Sequence, residues 1–398
     1  MGPLAALLQA GLVAAAAPAP AAEAQEVPDE VQAAIEAETA PEPGADRERD
    51  PWIWGPDFSP NVNLYGNFLA RKERKPIRTP DGEEVSDIAR IRQIDLIVDT
   101  PIAPRMTAFI AASAQSNLVN SEFSLEFEQA YVLFEALPVI GDLPRGLSLL
   151  VGNYRTNFGR MNRERIYDVP HINRPRSQTN FFGDNGYSAT GLSISYALPI
   201  SDYGALKVTA DYLDSGDPPL AIDEGGNTGA TNFRAAWIPA PNATHRLEIG
   251  ASRIHSRRAD EDGRRAKVTG YDALYSWKPD PDRPPAVWFG GEWMRGAIDN
   301  VAFEHQTPRG YYLWTQVRIT DRWFVGVRYD VADELEFDDL RTHTQGIYLT
   351  YATNALARLA IGAERSQSDV DLLDDVTRVF VEFNFGAGTN PHVPFWLR

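Results

Sequence analysis

Near the end of the chain, Arg378-Val379-Phe380-Val381-Glu382-Phe383-Asn384-Phe385 sorts its side chains two ways. Val379, Val381, Phe383 and Phe385 share one face, and Arg378, Phe380, Glu382 and Asn384 share the other. Successive side chains of a β-strand point to opposite sides, so this period of two reads as a strand with one apolar and one charged face. The pattern recurs upstream. Trp323, Val325, Val327 and Tyr329 oppose Arg322, Phe324, Gly326 and Arg328, and Ala357, Leu359, Ile361 and Ala363 oppose Arg358, Ala360, Gly362 and Glu364. Leu247, Ile249 and Ala251 oppose Arg246, Glu248, Gly250 and Ser252.

Working outward, strand centres fall near Tyr65, Leu96, Ile110, Tyr131, Leu149, Ile194, Val208, Ala235, Ile249, Ala273, Phe289, Thr315, Val327, Leu349, Leu359 and Val381. That makes about sixteen strands, an even number as in bacterial membrane barrels. Tight turns at Thr100-Pro101, Pro199-Ile200-Ser201-Asp202, Pro239-Ala240-Pro241-Asn242, Thr320-Asp321-Arg322 and Thr353-Asn354 alternate with longer polar loops. The rhythm predicts an all-β fold, a transmembrane antiparallel up-and-down β-barrel over residues 60–386, with periplasmic turns and extracellular loops. The barrel must close, because an open edge would leave unpaired N–H and C=O groups in hydrocarbon. In a soluble sandwich the apolar faces would form a core; in a barrel of this size they face lipid and the charged faces line water. Strands of roughly ten residues fit the membrane arrangement. Trp237, Trp277, Trp288, Trp323, Tyr311 and Tyr351 near strand ends fit interfacial girdles.

The apolar run Leu4 to Ala17 and the pattern Ala22-Glu23-Ala24 predict a secretory signal peptide over residues 1–24, although no Lys or Arg precedes the run. Residues 25–59 are rich in Ala, Glu and Pro and read as a solvated periplasmic linker. Trp52 and Trp54 close it, just ahead of the first strand. Residues 387–398 read as a C-terminal extension.

The 398 residues include no cysteine and carry a net charge of -17. The acid excess argues against nucleic acid as a partner, since phosphate binding needs a basic face. Without cysteine there is no disulfide framework and no thiolate metal site. The six histidines show no metal-ligand spacing, and no GxSxG, HExxH or P-loop occurs in its required context. The expectation is a non-enzyme without cofactor or metal.

The longest gap between strands runs from Asn157 to Gly186. It holds five arginines, Arg160, Arg163, Arg165, Arg174 and Arg176, against three acids, Glu164, Asp168 and Asp184. By order it is the third extracellular loop. A segment of this length in a compact domain is functional or disordered, and its Phe158, Tyr167, Pro170, Pro175, Phe181 and Phe182 indicate packing. Folded into the lumen it would narrow the pore, and its arginines would favour anions. The arginines, with Asp168, are the candidate constriction. The alternative is that they pair with wall carboxylates and only pin the loop. The candidate lumen wall comprises Arg318, Arg328, Arg358 and Arg378 together with Asp95, Asp211, Asp272, Glu248, Glu292 and Glu382. Segregated, the two signs set a transverse field; paired, they are wall salt bridges. The acid-rich stretches Asp214–Glu224, Asp333–Asp339 and Asp369–Asp375 read as solvated loops.

The run Glu128-Gln129-Ala130-Tyr131-Val132-Leu133-Phe134, a Gly-containing strand Gly146 to Arg155, and then Phe158-Gly159-Arg160-Met161-Asn162 resemble the phosphate-selective-porin-like family of Gram-negative outer-membrane proteins. Asp168-Val169-Pro170, Phe181-Phe182-Gly183-Asp184 and the tail Pro391-His392-Val393-Pro394-Phe395 continue the pattern. The resemblance implies a sixteen-stranded porin, passive diffusion and often a homotrimer. Two features depart from it. The lysine clusters of a phosphate channel are missing, and the chain runs past the aromatic Phe385 to Arg398.

The function expected is therefore an outer-membrane porin passing small hydrophilic, anionic solutes. Its partners would be outer-membrane lipid, lipopolysaccharide and the solute cargo. The competing expectations are a receptor for a siderophore or metal chelate and a structural envelope barrel.

Overall fold

Alternation decides which way each strand faces, and pairing decides where the sheet ends. The structure is a computed structural model that describes residues 60–397 apart from short segments at 77–82, 104, 117–122, 138–140, 201–202, 216–226, 240–243, 259–264, 281–282, 299–305, 335–339, 355 and 370–374. The expected signal peptide, the linker with Trp52 and Trp54, and most of the three acid-rich stretches lie outside the described residues.

Sixteen strands form the wall. They are β1 (Asn61–Pro76), β2 (Glu83–Ala103), β3 (Met106–Ser116), β4 (Phe123–Phe134), β5 (Leu147–Arg155) and β6 (Ser188–Pro199). Then come β7 (Gly204–Ser215), β8 (Asn227–Pro239), β9 (His245–Arg258), β10 (Arg265–Trp277) and β11 (Ala286–Ile298). The series ends with β12 (Arg309–Arg318), β13 (Trp323–Asp333), β14 (Arg341–Asn354), β15 (Ala357–Ser368) and β16 (Val376–Gly388). Each pairs antiparallel with its neighbours in sequence, and β1 pairs with β16 to close the barrel. At the seam Phe68 lies opposite Phe383, with ring centroids 6.3 Å apart. All sixteen expected strand centres fall within these strands.

The outer surface is apolar: Leu64, Phe68, Ile110, Ile194, Val208, Ile249, Leu313, Leu349, Ile361 and Val381 are all exposed. Inward positions carry Asn67, Asp95, Asp211, Asn232, Glu248, Asp272, Glu292, Asp330, Glu364 and Glu382, all buried. Among the register shifts of the described strands, two re-aim residues of the interior. Between β1 and β2, Asn67 pairs with Gln93 and Phe68 with Ile91, so Arg92 is skipped. Between β3 and β4, Ala111 pairs with Gln129 and Ala112 with Phe127, so Glu128 is skipped. A bulged residue has no ladder partner and re-aims its side chain.

Several local expectations are corrected. Thr100-Pro101 is not a turn; both residues stay in β2, paired with Ala108 and Thr107. The reversal lies between the paired Ala103 and Met106, and Arg105 takes a left-handed φ of 57° there. Asn354 also stays in its strand, and its Oδ1 accepts the Leu356 and Ala357 amides at 2.8 Å each, which organises the reversal after it. The last strand runs to Gly388. Trp288 is no girdle residue: it faces inward, buried against Phe324 at 6.5 Å.

The outer belt yields a test. Ile361→Arg places a charge on the exposed apolar face and should destabilise the membrane-inserted barrel by about 2–4 kcal/mol in urea unfolding from lipid vesicles. Equal stability of variant and parent would mean that this face does not meet lipid.

Candidate functional site

The chain leaves β5 at Arg155 and does not return to the wall until Ser188. Its route is fixed first by Asn162. The Asn162 Nδ2 donates to Thr156 O, Thr156 Oγ1 and Tyr187 O, each at 3.0 Å. Its Oδ1 accepts the Tyr187 amide at 2.7 Å. One buried side chain thus staples the entry of the segment to its exit. Phe158 and Phe182, 4.8 Å apart, anchor the same end among Tyr154, Ile254, Val268 and Met294.

Gly159 turns the chain inward with φ of 59°. A Cβ there would meet the Glu292 carboxylate at 2.8 Å. The turn delivers the Arg160 and Met161 amides to Glu292 Oε1, at 2.5 and 2.6 Å. The Gly159 amide reaches Ser252 Oγ at 3.0 Å.

From there the segment touches wall residues around the ring. Asn157 meets Asp211 of β7; Arg165 lies over the Phe109 ring of β3 at 5.4 Å. The Arg92 guanidinium of β2 donates to Ile172 O at 2.9 Å. Asn173 meets Glu364 of β15, and the Arg176 amide meets Asp330 of β13. A segment can reach β2, β3, β7, β9, β11, β13 and β15 of a closed barrel only from inside it. A short helix, α1 (Arg176–Phe182), ends the excursion.

The candidate constriction residues divide. Arg160 Nη1 and Arg163 Nη2 pair with Glu248 at 2.9 and 3.2 Å. Arg174 is buried and donates to Met161 O at 2.8 Å and to Glu164 O, bracing the segment against itself. Arg176 pairs with Glu334 through Nη2 at 2.6 Å. Asp168 is buried beside Arg165, and burial raises its carboxyl above the ordinary value while Arg165 opposes that shift. Burial, reinforced by Arg328, holds the His171 imidazole well below its ordinary value.

The wall residues pair too. Arg328 binds Asp330 and Glu364 at 3.2 and 3.0 Å. Arg234 bridges Glu248 and Asp272. Arg378 binds Glu73 at 2.8 Å, and Arg318 meets Asp321 at the turn. Glu382 accepts from Asn67, and Asp95 from Gln93. Arg358 stacks on Trp396 at 5.2 Å.

Alternation did not single out Arg71, Arg90 and Arg92. Counted from the inward Asp95, Arg90 and Arg92 would face out. The bulge at Arg92 reverses that parity, leaving Arg90 opposite the buried Leu69. Arg71, Arg90, Arg92 and Arg378 then approach one quadrant, and Arg71 and Arg92 bear on Arg90 electrostatically. In three lumen pairs the arginine is the more exposed partner: Arg71 20% against Glu73 9%, Arg92 17% against Glu382 4%, Arg163 19% against Glu248 7%.

No family model matches the chain. An uncharacterized protein of Aquifex aeolicus (strain VF5) is 22% identical over 307 residues, 67% of this chain. The chain spans 64% of that relative's length. Among solved structures, the anion-selective porin from Comamonas acidovorans aligns with a TM-score of 0.55 at 11% identity, covering 83% of this chain and 100% of that one. OmpF of Salmonella typhi aligns at 0.53 and 14%, covering 81% and 97%. The outer-membrane channel DcaP of Acinetobacter baumannii aligns at 0.52 and 12%, covering 82% and 97%. The likeness is one of fold: this chain has the barrel architecture of outer-membrane porins.

Two outcomes are expected from these contacts. Asn162→Ala leaves the Tyr187 amide and Thr156 carbonyl unpartnered in a buried place, at about 1–3 kcal/mol per group. Trypsin should then cut at Arg160 to Arg176 many times faster in the folded barrel, and an unchanged digestion rate would refute the staple. His171 is held neutral in the docked segment, so the undocked state binds the extra proton. Its contribution to docking is complete above about pH 6.5, the free imidazole value, and is lost as pH falls below it. The wild type should lose protease protection between pH 7 and 5 more steeply than His171→Gln.

Proposed function

We propose that this chain is an outer-membrane channel through which small hydrophilic solutes, anions preferentially, diffuse passively. The observation that carries the reading is the closed barrel with an apolar exterior and a charged interior crossed by residues 156–187. Lipid solvates the outside, and the polar inside is usable only as a path for water and polar solutes. The loop narrows that path. The anion bias follows from unequal exposure within the ion pairs. In these pairs the carboxylates sit deeper, and the side chains of Arg71, Arg92, Arg163 and Arg378 are the more exposed partners. A passing ion therefore meets donors more than acceptors, although the whole chain carries a charge of -17.

In this reading residues 1–24 direct export and residues 25–59 form a periplasmic linker. Membrane lipid and lipopolysaccharide cover the outer belt. The homotrimer rests on the family resemblance, and chemical cross-linking in detergent tests it.

Single-channel recording across a salt gradient tests the function. Steady conductance with an anion-selective reversal potential is expected, and Arg71→Ala with Arg90→Ala should shift that potential toward zero. Cation selectivity would sink the arginine mechanism, and absence of conductance from folded protein would sink the channel.

A further inference from the structure

Beyond Gly388 the chain does not leave the barrel mouth. The Val62 amide donates to Thr389 Oγ1 at 2.9 Å, and the Asn390 amide donates to Asn63 Oδ1 at 3.1 Å. The His392 amide then reaches the Tyr65 hydroxyl. These contacts climb the inner face of β1. The chain next crosses the lumen. Phe395 packs edge-on to Trp314 of β12 at 6.1 Å, and Trp396 packs edge-on to Phe324 of β13 at 5.3 Å.

Trp396 is 1% exposed. Its indole Nε1 donates to Asp168 O at 2.9 Å, directly on the loop. Trp396 joins Tyr65, Ile97, Tyr167, Trp288, Trp314 and Phe324 in one apolar cluster at the end of the barrel bearing the short turns. A tail trailing into solvent would expose Phe395, Trp396 and Leu397 to water; here those side chains pack inside the barrel. The two rings also cap guanidiniums: Arg160 lies over Phe395 and Arg358 over Trp396, each at 5.2 Å.

We propose that residues 389–397 are a built-in plug. It occupies the turn-side half of the lumen, positions the loop through Trp396, shields Arg358 from solute and packs Phe395 against Arg160. The inference rests on the channel reading. It assigns Trp396 as a positioning residue and makes the tail a determinant of both conductance and charge preference.

The test compares the full chain, a chain ending at Gly388, and the full-length Phe395→Ala/Trp396→Ala variant in planar bilayers. Circular dichroism and heat-dependent gel mobility verify each barrel. The truncated channel should conduct several-fold more, with a reversal potential shifted further toward anions because Arg358 is uncovered and Arg160 loses the ring beside it. Trypsin should also cut at Arg165 faster. The double variant should move the same way by a smaller factor, and it decides the matter if the truncated chain does not fold. Equal, non-zero conductance in all three would overturn the plug and leave the channel reading standing. No conductance from any folded form would overturn the channel reading and the plug with it.

Discussion

A sheet edge inside hydrocarbon has no water to satisfy its N–H and C=O groups, and the pairing of β1 with β16 removes that edge. The rest follows from closure. Once the sheet is a ring, every strand has one face to lipid and one to the lumen. Apolar residues take the outside, where Leu349 and Val381 stand exposed, and the polar half of each strand is turned inward. The interior thereby collects charge that must find partners.

Those partners come from other wall residues, as Arg234 and Arg328 show, and from the segment between β5 and β6. Buried ions are tolerated only when paired and hydrogen-bonded, since desolvation costs several kcal/mol per ion. Glu248 is shared by Arg160, Arg163 and Arg234, while Glu292 is met by two backbone amides. The wall thus holds the loop, and the loop neutralises the wall. Short carboxylates stay near the strand backbone, and long arginine stems carry their charge out toward the lumen.

The Phe158-Gly159-Arg160-Met161-Asn162 run has a physical reading in these terms. Phe158 anchors the departure from the wall, Gly159 supplies a left-handed turn against a carboxylate, and Asn162 ties the two ends together. The intervening Arg160 and Met161 give their backbone amides to Glu292, and Arg160 adds its guanidinium to Glu248. The tail offers a second contact set to the same loop, so the segment is held from the wall above and from Trp396 below.

Alternation along the sequence, read with the rhythm of turns and loops, was enough to determine the sixteen strands and the sorting of their side chains into one apolar and one charged face. Period and parity are local properties of the extended backbone. The same local reading failed where the chain departed from strict alternation. The bulge at Arg92 turned Arg90 inward, and Thr100-Pro101, turn-like in composition, stayed paired in β2. Trp288 suited a membrane girdle by composition but lies inside, because its position in β11 puts it opposite the inward Gln316. Only the tertiary structure decided which arginine meets which acid, and that Phe395 and Trp396 enter the lumen. Many of those contacts join residues far apart in the chain: Arg160 and Glu248 are 88 positions apart, and Asp168 and Trp396 are 228 apart. No spacing in the sequence encodes such a meeting; the closed wall creates it by confining loop and tail to one space.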